Sequence, residues 1–377
     1  MDKKSAIVVG AGILGLALAR ALAKKGFAVR VLDRSLKAEG ASVRNFGMIW
    51  PIGQPEGKLY RRALRSAEIW KEVCAEASIW IDPVGSLHLA YYPDEWEVLQ
   101  ECQDAFSKQG RKISLVSKNE IKEKSAGVIR ENLLGGLFCE EELIVDPRKA
   151  IGALPFYLTK KWGVEFCWGK SVAEVSQHRV RTGDKSEFEA DCIFICSGAD
   201  LETLFAEAYA QRPFIKCKLQ MMRMGVQPEN WRIGPALCGG LSLIHYQSFK
   251  VAKSLEALRR RYQDEMKNYL DWGIHVMVSQ NQQGELTIGD SHEYGAAIEP
   301  FDKQTINNLI LDYLRKFFRC RNENIVESWN GIYSKLTDGS TEFLCSPMQG
   351  VYLANGVGGA GMTLSFGLAE EIVDSLQ

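Results

Sequence analysis

The chain has 377 residues, 46% of them hydrophobic and 25% charged, with a formal net charge of −1. That is long enough for one large or two ordinary domains, and it has the balance of a globular protein rather than a disordered or fibrous one. Near-neutral charge removes the electrostatic case for nucleic acid or an anionic membrane as partner. No stretch of about 20 uncharged apolar residues offers a membrane span, and the ten cysteines, none in a C-x-x-C pair, fit a reducing cytoplasmic setting with no metal site.

The first element is a buried strand, Ser5-Ala6-Ile7-Val8-Val9, running into Gly10-Ala11-Gly12-Ile13-Leu14-Gly15 and a helix. The three glycines have the spacing of a dinucleotide-binding turn. Gly10 permits the sharp exit from the strand, Gly12 lets backbone approach a pyrophosphate, and Gly15 lets the helix pack on the sheet. The helix start offers unpaired N–H groups and about half a positive charge to phosphate. Lys24-Lys25-Gly26 ends the helix, and a second strand finishes at Asp33, eighteen residues after Gly15, where a carboxylate is expected to hold a ribose hydroxyl. Lys3-Lys4 before an apolar run has the look of a secretion signal. Arg20 interrupts that run, no cleavage pattern follows, and the glycines account for the residues better.

The loop 40–51 follows, in which the Ser42 hydroxyl and nearby N–H groups could bind phosphate and Gly47 and Met48 could approach a flat ring. Residues 59–77 read as a helix, 79–90 as strand, turn and strand, and 93–106 as a helix opened by Pro93-Asp94-Glu95. Residues 133–145 read as one strand. Asp146 then caps a helix with Pro147 at its first position. A strand at 163–168 and a meander beginning at Val172 lead to a buried strand that ends in Ser197-Gly198. From 213 to 294 the texture changes to strands at 218–226, 241–248, 273–278 and 285–288 around a charged helix at 254–270, which suggests a second, mostly antiparallel sheet. A further helix is expected at 303–318.

The end of the chain repeats the opening device. Strand 351–354 runs through Asn355-Gly356-Val357-Gly358-Gly359-Ala360-Gly361 into a terminal helix. A nicotinamide domain has no need of this second turn. A flavin does, because a helix start aimed at its N1–C2=O edge stabilises the charge gained on reduction.

Taken together these motifs resemble the FAD-dependent D-amino acid oxidase-like family, which includes glycine oxidase and sarcosine oxidase. The likeness rests on the Gly10–Gly15 turn, Asp33-Arg34, Ala41-Ser42, Val145-Asp146-Pro147, Ser197-Gly198-Ala199, Leu286-Thr287-Ile288-Gly289 and Gly358-Gly359-Ala360-Gly361-Met362-Thr363-Leu364. It implies an α/β fold with a doubly wound, Rossmann-like FAD domain (1–80, 140–214 and 325–377) and a substrate domain (81–139 and 215–324). It also implies noncovalent FAD held by Gly10, Ala11, Gly12, Ile13, Leu14, Gly15, Asp33, Arg34, Ala41, Ser42, Arg44, Asn45, Gly47, Met48, Val172, Ser197, Gly198, Gly331, Gly358, Gly359, Ala360, Gly361, Met362 and Thr363. The segments Asn45-Phe46-Gly47-Met48-Ile49-Trp50-Pro51, Leu219-Gln220-Met221-Met222-Arg223, His275-Val276-Met277-Val278-Ser279-Gln280 and Gly289-Asp290-Ser291-His292-Glu293-Tyr294 look like the branch associated with aminophosphonate breakdown.

Many relatives carry an R-P-x-T-P-D-G segment whose arginine grips the substrate carboxylate. Here Tyr333 holds that position and Gly331 stands where sarcosine oxidases tether the flavin through cysteine; Cys345 is the nearest thiol in sequence. The implied reaction is hydride transfer from the carbon beside a neutral amine, imine hydrolysis, and reoxidation by O2, in a monomer or small homo-oligomer. A flavin dehydrogenase with another acceptor and a non-catalytic flavin protein are the alternatives. If the amine substrate is an anion, a cation must replace the missing arginine, with Lys335 first, then Arg223 and Arg44. Tyr333, His245 and Tyr246 are the other pocket candidates, the last two on a strand, while His275 and His292 read as structural.

Overall fold

The computed structural model describes residues 3–376. Its first sheet has the order Phe343–Met348, Val351–Asn355, Cys192–Ile195, Ser5–Val9, Ala28–Asp33, Glu165–Trp168. All neighbours are parallel except the antiparallel edge strand Phe343–Met348. The chain leaves Ser5–Val9 toward Ala28–Asp33 and returns on the other side at Cys192–Ile195. The crevice beyond the carboxyl ends of those strands is where such sheets bind ligands.

Alternate side chains of these strands feed two cores. Ala6, Val8, Val29, Val31 and Phe194 pack with helices Ile13–Lys24, Lys58–Ala77, Pro147–Trp162 and Gly361–Asp374. Ile7, Leu32, Ile193 and Ile195 pack with Val172 and Val180 of the three-stranded meander Val172–Ser176, Arg179–Thr182, Glu187–Glu189. One face is therefore covered by helices and the other by a small sheet. Helix Ile13–Lys24 is buried along all but its last residue, so its Leu and Ala run is core and not an amphipathic surface stripe. Its one arginine, Arg20, is buried and neutralised by Glu72 at 3.1 Å and Glu370 at 3.5 Å. Asp146 caps Pro147–Trp162 as expected, accepting from Arg148 N at 3.0 Å.

The second sheet has nine strands. The long strand Phe214–Met224 pairs along its length with Ile325–Leu336, and on its other edge with Glu293–Gly295 and Leu286–Gly289. Met277–Gln280, Ala236–Cys238, Ser86–Ala90, Gly135–Cys139 and Ile113–Val116 continue it, all antiparallel but for Ala236–Cys238 against Ser86–Ala90. Strand Ile325–Leu336, grouped with the cofactor half on sequence, is thus built into the second sheet. Among the described residues no helix is long and apolar enough to cross a membrane.

Two elements differ from expectation. Residues 133–145 form two strands in different sheets, Gly135–Cys139 in the large one and Leu143–Val145 between Met48–Ile49 and Ile81–Asp82. The break is at Glu142, whose carboxylate accepts from Ile52 N at 2.8 Å and Ser86 Oγ at 3.1 Å. Residues 241–248 are not a strand but two 3-10 turns, Gly240–Ile244 and Gln247–Val251. Ser242 Oγ donates to Gly239 O at 2.6 Å and Leu241 N to Tyr313 Oη at 3.0 Å, local bonds that outcompete a ladder. His245 and Tyr246 therefore stand on a turn.

Candidate active site

The glycine turn is tight because neighbouring backbone leaves no room for a side chain. A Cβ on Gly10, at φ +104°, would lie 2.4 Å from Cys196 O, and one on Gly15 would lie 1.9 Å from Gly10 O. Gly12 is the N-cap of the first helix and has no capping side chain of its own. The Ser42 hydroxyl instead accepts from Ile13 N at 2.9 Å, which places the 41–43 turn against the helix start. Asp33 accepts from Ala11 N at 2.7 Å and Ser35 N at 2.8 Å, so its carboxylate sits beside the turn with the ribose role open to it. Arg34 pairs with Asp200 at 2.8 Å. Ser197 Oγ lies 3.2 Å from Tyr209 Oη. The Gly198 carbonyl accepts from Ser334 Oγ and Asn355 Nδ2, both at 2.9 Å, which ties the strand end to the second sheet.

The second helix start reaches the same place. Gly361–Asp374 begins after Ala360, again with no capping side chain, and a Cβ on Gly361 would meet Ile13 Cγ2 at 3.3 Å. Trp70 Nε1 holds the Met362 carbonyl at 2.8 Å and Thr363 Oγ1 accepts from Trp50 N at 2.9 Å. Asn45 bonds Ala41 O, Ser42 O and Gly47 N. It fixes Gly47, whose Cβ would lie 1.9 Å from Val145 O, and sets Met48 inside. Two glycine-bordered helix starts, neither capped by its own N-cap side chain, come together here through the Gly361–Ile13 approach.

Strand Ile325–Leu336 supplies the cleft wall. Gly331, Tyr333 and Lys335 share one face by strand alternation. Tyr333 Oη would lie 3.3 Å from a Cβ on Gly359, Lys335 bridges to Val357, and its Nζ lies 5.3 Å from the Tyr294 ring centroid. Beyond them stand three imidazoles. His245 and His275 are 3.7 Å apart between ring centroids at 34°, and His275 and His292 5.1 Å apart at 22°. Tyr246 is 5.0 Å from His245 and 5.7 Å from His275. His275 and His292 are buried, whereas His245 is exposed.

Burial sets the charges here. It holds His292 down at about 4, with Lys335 adding, and His275 well below the ordinary histidine value, with the other two imidazoles adding. It pushes the Asp290 carboxyl well up, and Asp290 Oδ1 lies 3.2 Å from His275 Nε2 without a well-aligned hydrogen bond. Cys217, opposite Tyr333 in the sheet, is pushed up by burial to about 12. The three imidazoles bring donor atoms within 4.8 Å of one another.

A family profile of FAD dependent oxidoreductases matches residues 5–375. The chain belongs to that family. It is 24% identical over 347 residues to an opine oxidase chain of Rhizobium meliloti, covering 88% of this chain and 82% of that protein. Its fold is that of L-proline dehydrogenase from P. horikoshii (TM-score 0.78, 19% identity, covering 100% and 94% of the two chains). It is equally that of glycine oxidase from Geobacillus kaustophilus (TM-score 0.76, 19% identity, covering 100% and 95%). The two helix starts, the glycine faces that a Cβ would fill, and the Ser42 and Asp33 positions fit the dinucleotide and ring of FAD.

Not every sequence candidate meets the cleft. Arg223 is bonded to Glu285 at 3.3 Å and covers Trp329, and Arg44 donates to Asn330 O at 3.2 Å. Val172 is in the core under the meander, and Cys345 is on the edge strand of the first sheet, packed toward that same core. In the other direction, His275 and His292, which read as structural in the sequence, are part of the imidazole cluster together with Asp290. The signal for them is the hairpin. Met277 pairs with Gly289, a register that extends to His275 opposite Ser291, and the backbone bonds that His275 exchanges with Asp290 set it one residue off that register, near His292.

Proposed function

We propose that this FAD-dependent oxidoreductase oxidises the carbon–nitrogen bond of a small primary or secondary amine that carries an anionic group, an amino acid or an aminophosphonate. The observation that carries the reading is the strand that sets Tyr333 and Lys335 against the C-terminal glycine turn. The relatives lend support, since opine oxidase, proline dehydrogenase and glycine oxidase are named for amine substrates. Bound FAD supplies the two-electron acceptor for hydride from the amine-bearing carbon, with O2 as the final acceptor. The chain's own part is positioning. Lys335 and the imidazoles attract the anionic end, Tyr333 lines the pocket, and the ammonium sheds its proton to solvent before its carbon can release hydride. The imine then hydrolyses to a carbonyl compound.

The test is anaerobic titration of the purified yellow protein with 2-aminoethylphosphonate, its N-methyl form, glycine, sarcosine and D-alanine, followed by air and a peroxide assay. Bleaching by at least one of these amines, with peroxide on aeration, is expected. Failure of all of them to bleach the flavin sinks the amine reading. Bleaching without peroxide retains amine oxidation and replaces O2 by another acceptor.

A further inference from the structure

We propose that His245, His275 and His292, with Lys335, form the receptor for the substrate's anionic group, and that this receptor takes up a proton as it binds a tetrahedral dianion. The inference rests on the amine-oxidising reading for the identity of the cleft, and it names the anion that cleft selects.

The geometry comes first. Three imidazoles from three places in the chain form a triangle, with centroids 3.7, 4.8 and 5.1 Å apart, from just after the turn at Gly240–Ile244, from before strand Met277–Gln280 and from after strand Leu286–Gly289. His292 Nδ1 is engaged with Gly273 O at 3.1 Å, which leaves Nε2 to face other partners. His275 Nδ1 is buried with no partner. Unpaired polar atoms of this kind are costly in a core and common where a ligand completes the bonding. Arg223 is engaged by Glu285 and Arg44 by Asn330 O, so neither presents a free bidentate fork of the kind that suits a carboxylate, and a set of separate point donors suits three oxygens.

The charges then discriminate. The groups facing the cluster are Lys335 on Ile325–Leu336, Asp290 beside His275, Tyr246 on the same turn, and Tyr294 6.1 Å from His292. Burial pushes the Asp290 carboxyl well up and pushes the Tyr246 and Tyr294 phenols above the ordinary tyrosine value. Among the described residues Lys335 is the lysine or arginine set against the cluster. A single negative charge about 4 Å away raises an imidazole pKa by about three at a dielectric near 20. From about 4 at His292 that brings a monoanion complex only to the edge of neutrality, whereas a dianion carries it well past. The proton comes from solvent and stays on an imidazole nitrogen facing the bound oxygens.

The experiment uses the flavin-loaded protein and methylphosphonate, with acetate as the monoanion. Calorimetry in two buffers of different ionisation enthalpy at about pH 8.5, above the second ionisation of the phosphonate, counts protons. Expected are an uptake of about one proton per methylphosphonate and an affinity that falls about tenfold per pH unit above that point. Acetate is expected to bind at least about tenfold more weakly. His245→Asn and His292→Asn, each checked for bound flavin by absorbance, are expected to lower both uptake and affinity. Methylphosphonate binding with no uptake, uptake that survives both variants, or tighter binding of acetate overturns the proposal. So does stoichiometric Zn2+ binding that methylphosphonate cannot displace. Uptake on methylphosphonate in a protein that no amine bleaches supports the anion receptor and removes the amine chemistry. Amine bleaching without uptake does the reverse.

Discussion

The cleft has two walls made in different ways. The nucleotide wall is backbone: Gly10, Gly12 and Gly15 at one helix start and Gly358, Gly359 and Gly361 at the other, with a few oxygens such as those of Ser42 and Asp33 holding the shape. The substrate wall is side chain: imidazoles, phenols, a carboxyl and one lysine drawn from four elements of the second sheet and its turns. The backbone wall carries its affinity in fixed dipoles and does not titrate. The side-chain wall is desolvated and nearly every group on it has moved away from its ordinary pKa. The difference teaches where each kind of change will be felt, cofactor retention on one side and pH and substrate on the other.

The sharpest break of the nucleotide wall is Gly15→Val. With a Cβ position 1.9 Å from Gly10 O, the helix must leave the sheet, and we expect overpacking of about 3 kcal/mol or more. Flavin absorbance per chain is expected to fall below about a tenth of the parent. Retention of full flavin by that variant would remove the close-packing role of the third glycine.

The second effect belongs to the side-chain half alone. Burial raises the Glu142 carboxyl to about 7. Between about pH 4.5 and 7 the folded state keeps a proton that the unfolded chain has released, so stability falls as pH rises through that window. The penalty reaches about 3 kcal/mol above pH 7. Glu142→Gln can still accept from Ile52 N through its amide oxygen and donate from its NH2 to Ser86 Oγ, without ionising. Its melting temperature is expected to exceed the parent's by a margin that grows from pH 5 to pH 8. A margin that is flat in pH shows that Glu142 does not titrate there.

Next is Lys335→Gln, which separates the walls. KM for an anionic amine is expected to rise about thirtyfold, about 2 kcal/mol, with flavin content unchanged. A fall in flavin content with no change in KM would move Lys335 to the cofactor side. The smallest effect is expected at Arg223→Gln. Its guanidinium is occupied by Glu285 and Trp329, so KM should stay within about twofold and the loss should be about 1 kcal/mol of stability.

The same contrast explains what could be read in advance. Gly10, Gly12 and Gly15 were legible as a turn, and Asp33 as its neighbour, because a tight turn and a helix start are local in sequence and impose residue types at fixed spacing. The cap at Asp146 and the glycines at 358–361 were legible for the same reason. Lys335 and Tyr333 were found through their likeness to a family segment, and their strand was not, since Ile325–Leu336 has a polar outer half that hides its pairing. His275 and His292 looked like ordinary core residues because a lone histidine carries no local signature. Arg223 looked free because its partner Glu285 lies across a hairpin.

By itself, then, the amino-acid order determined the two helix starts and the class of cofactor they cradle, because short-range geometry dictates where glycine must stand. Only the tertiary structure decided what faces that cofactor. The imidazoles come together through ladder register in a nine-stranded sheet and through a turn that local hydrogen bonds took from a strand, and their neutrality comes from the burial that this convergence creates.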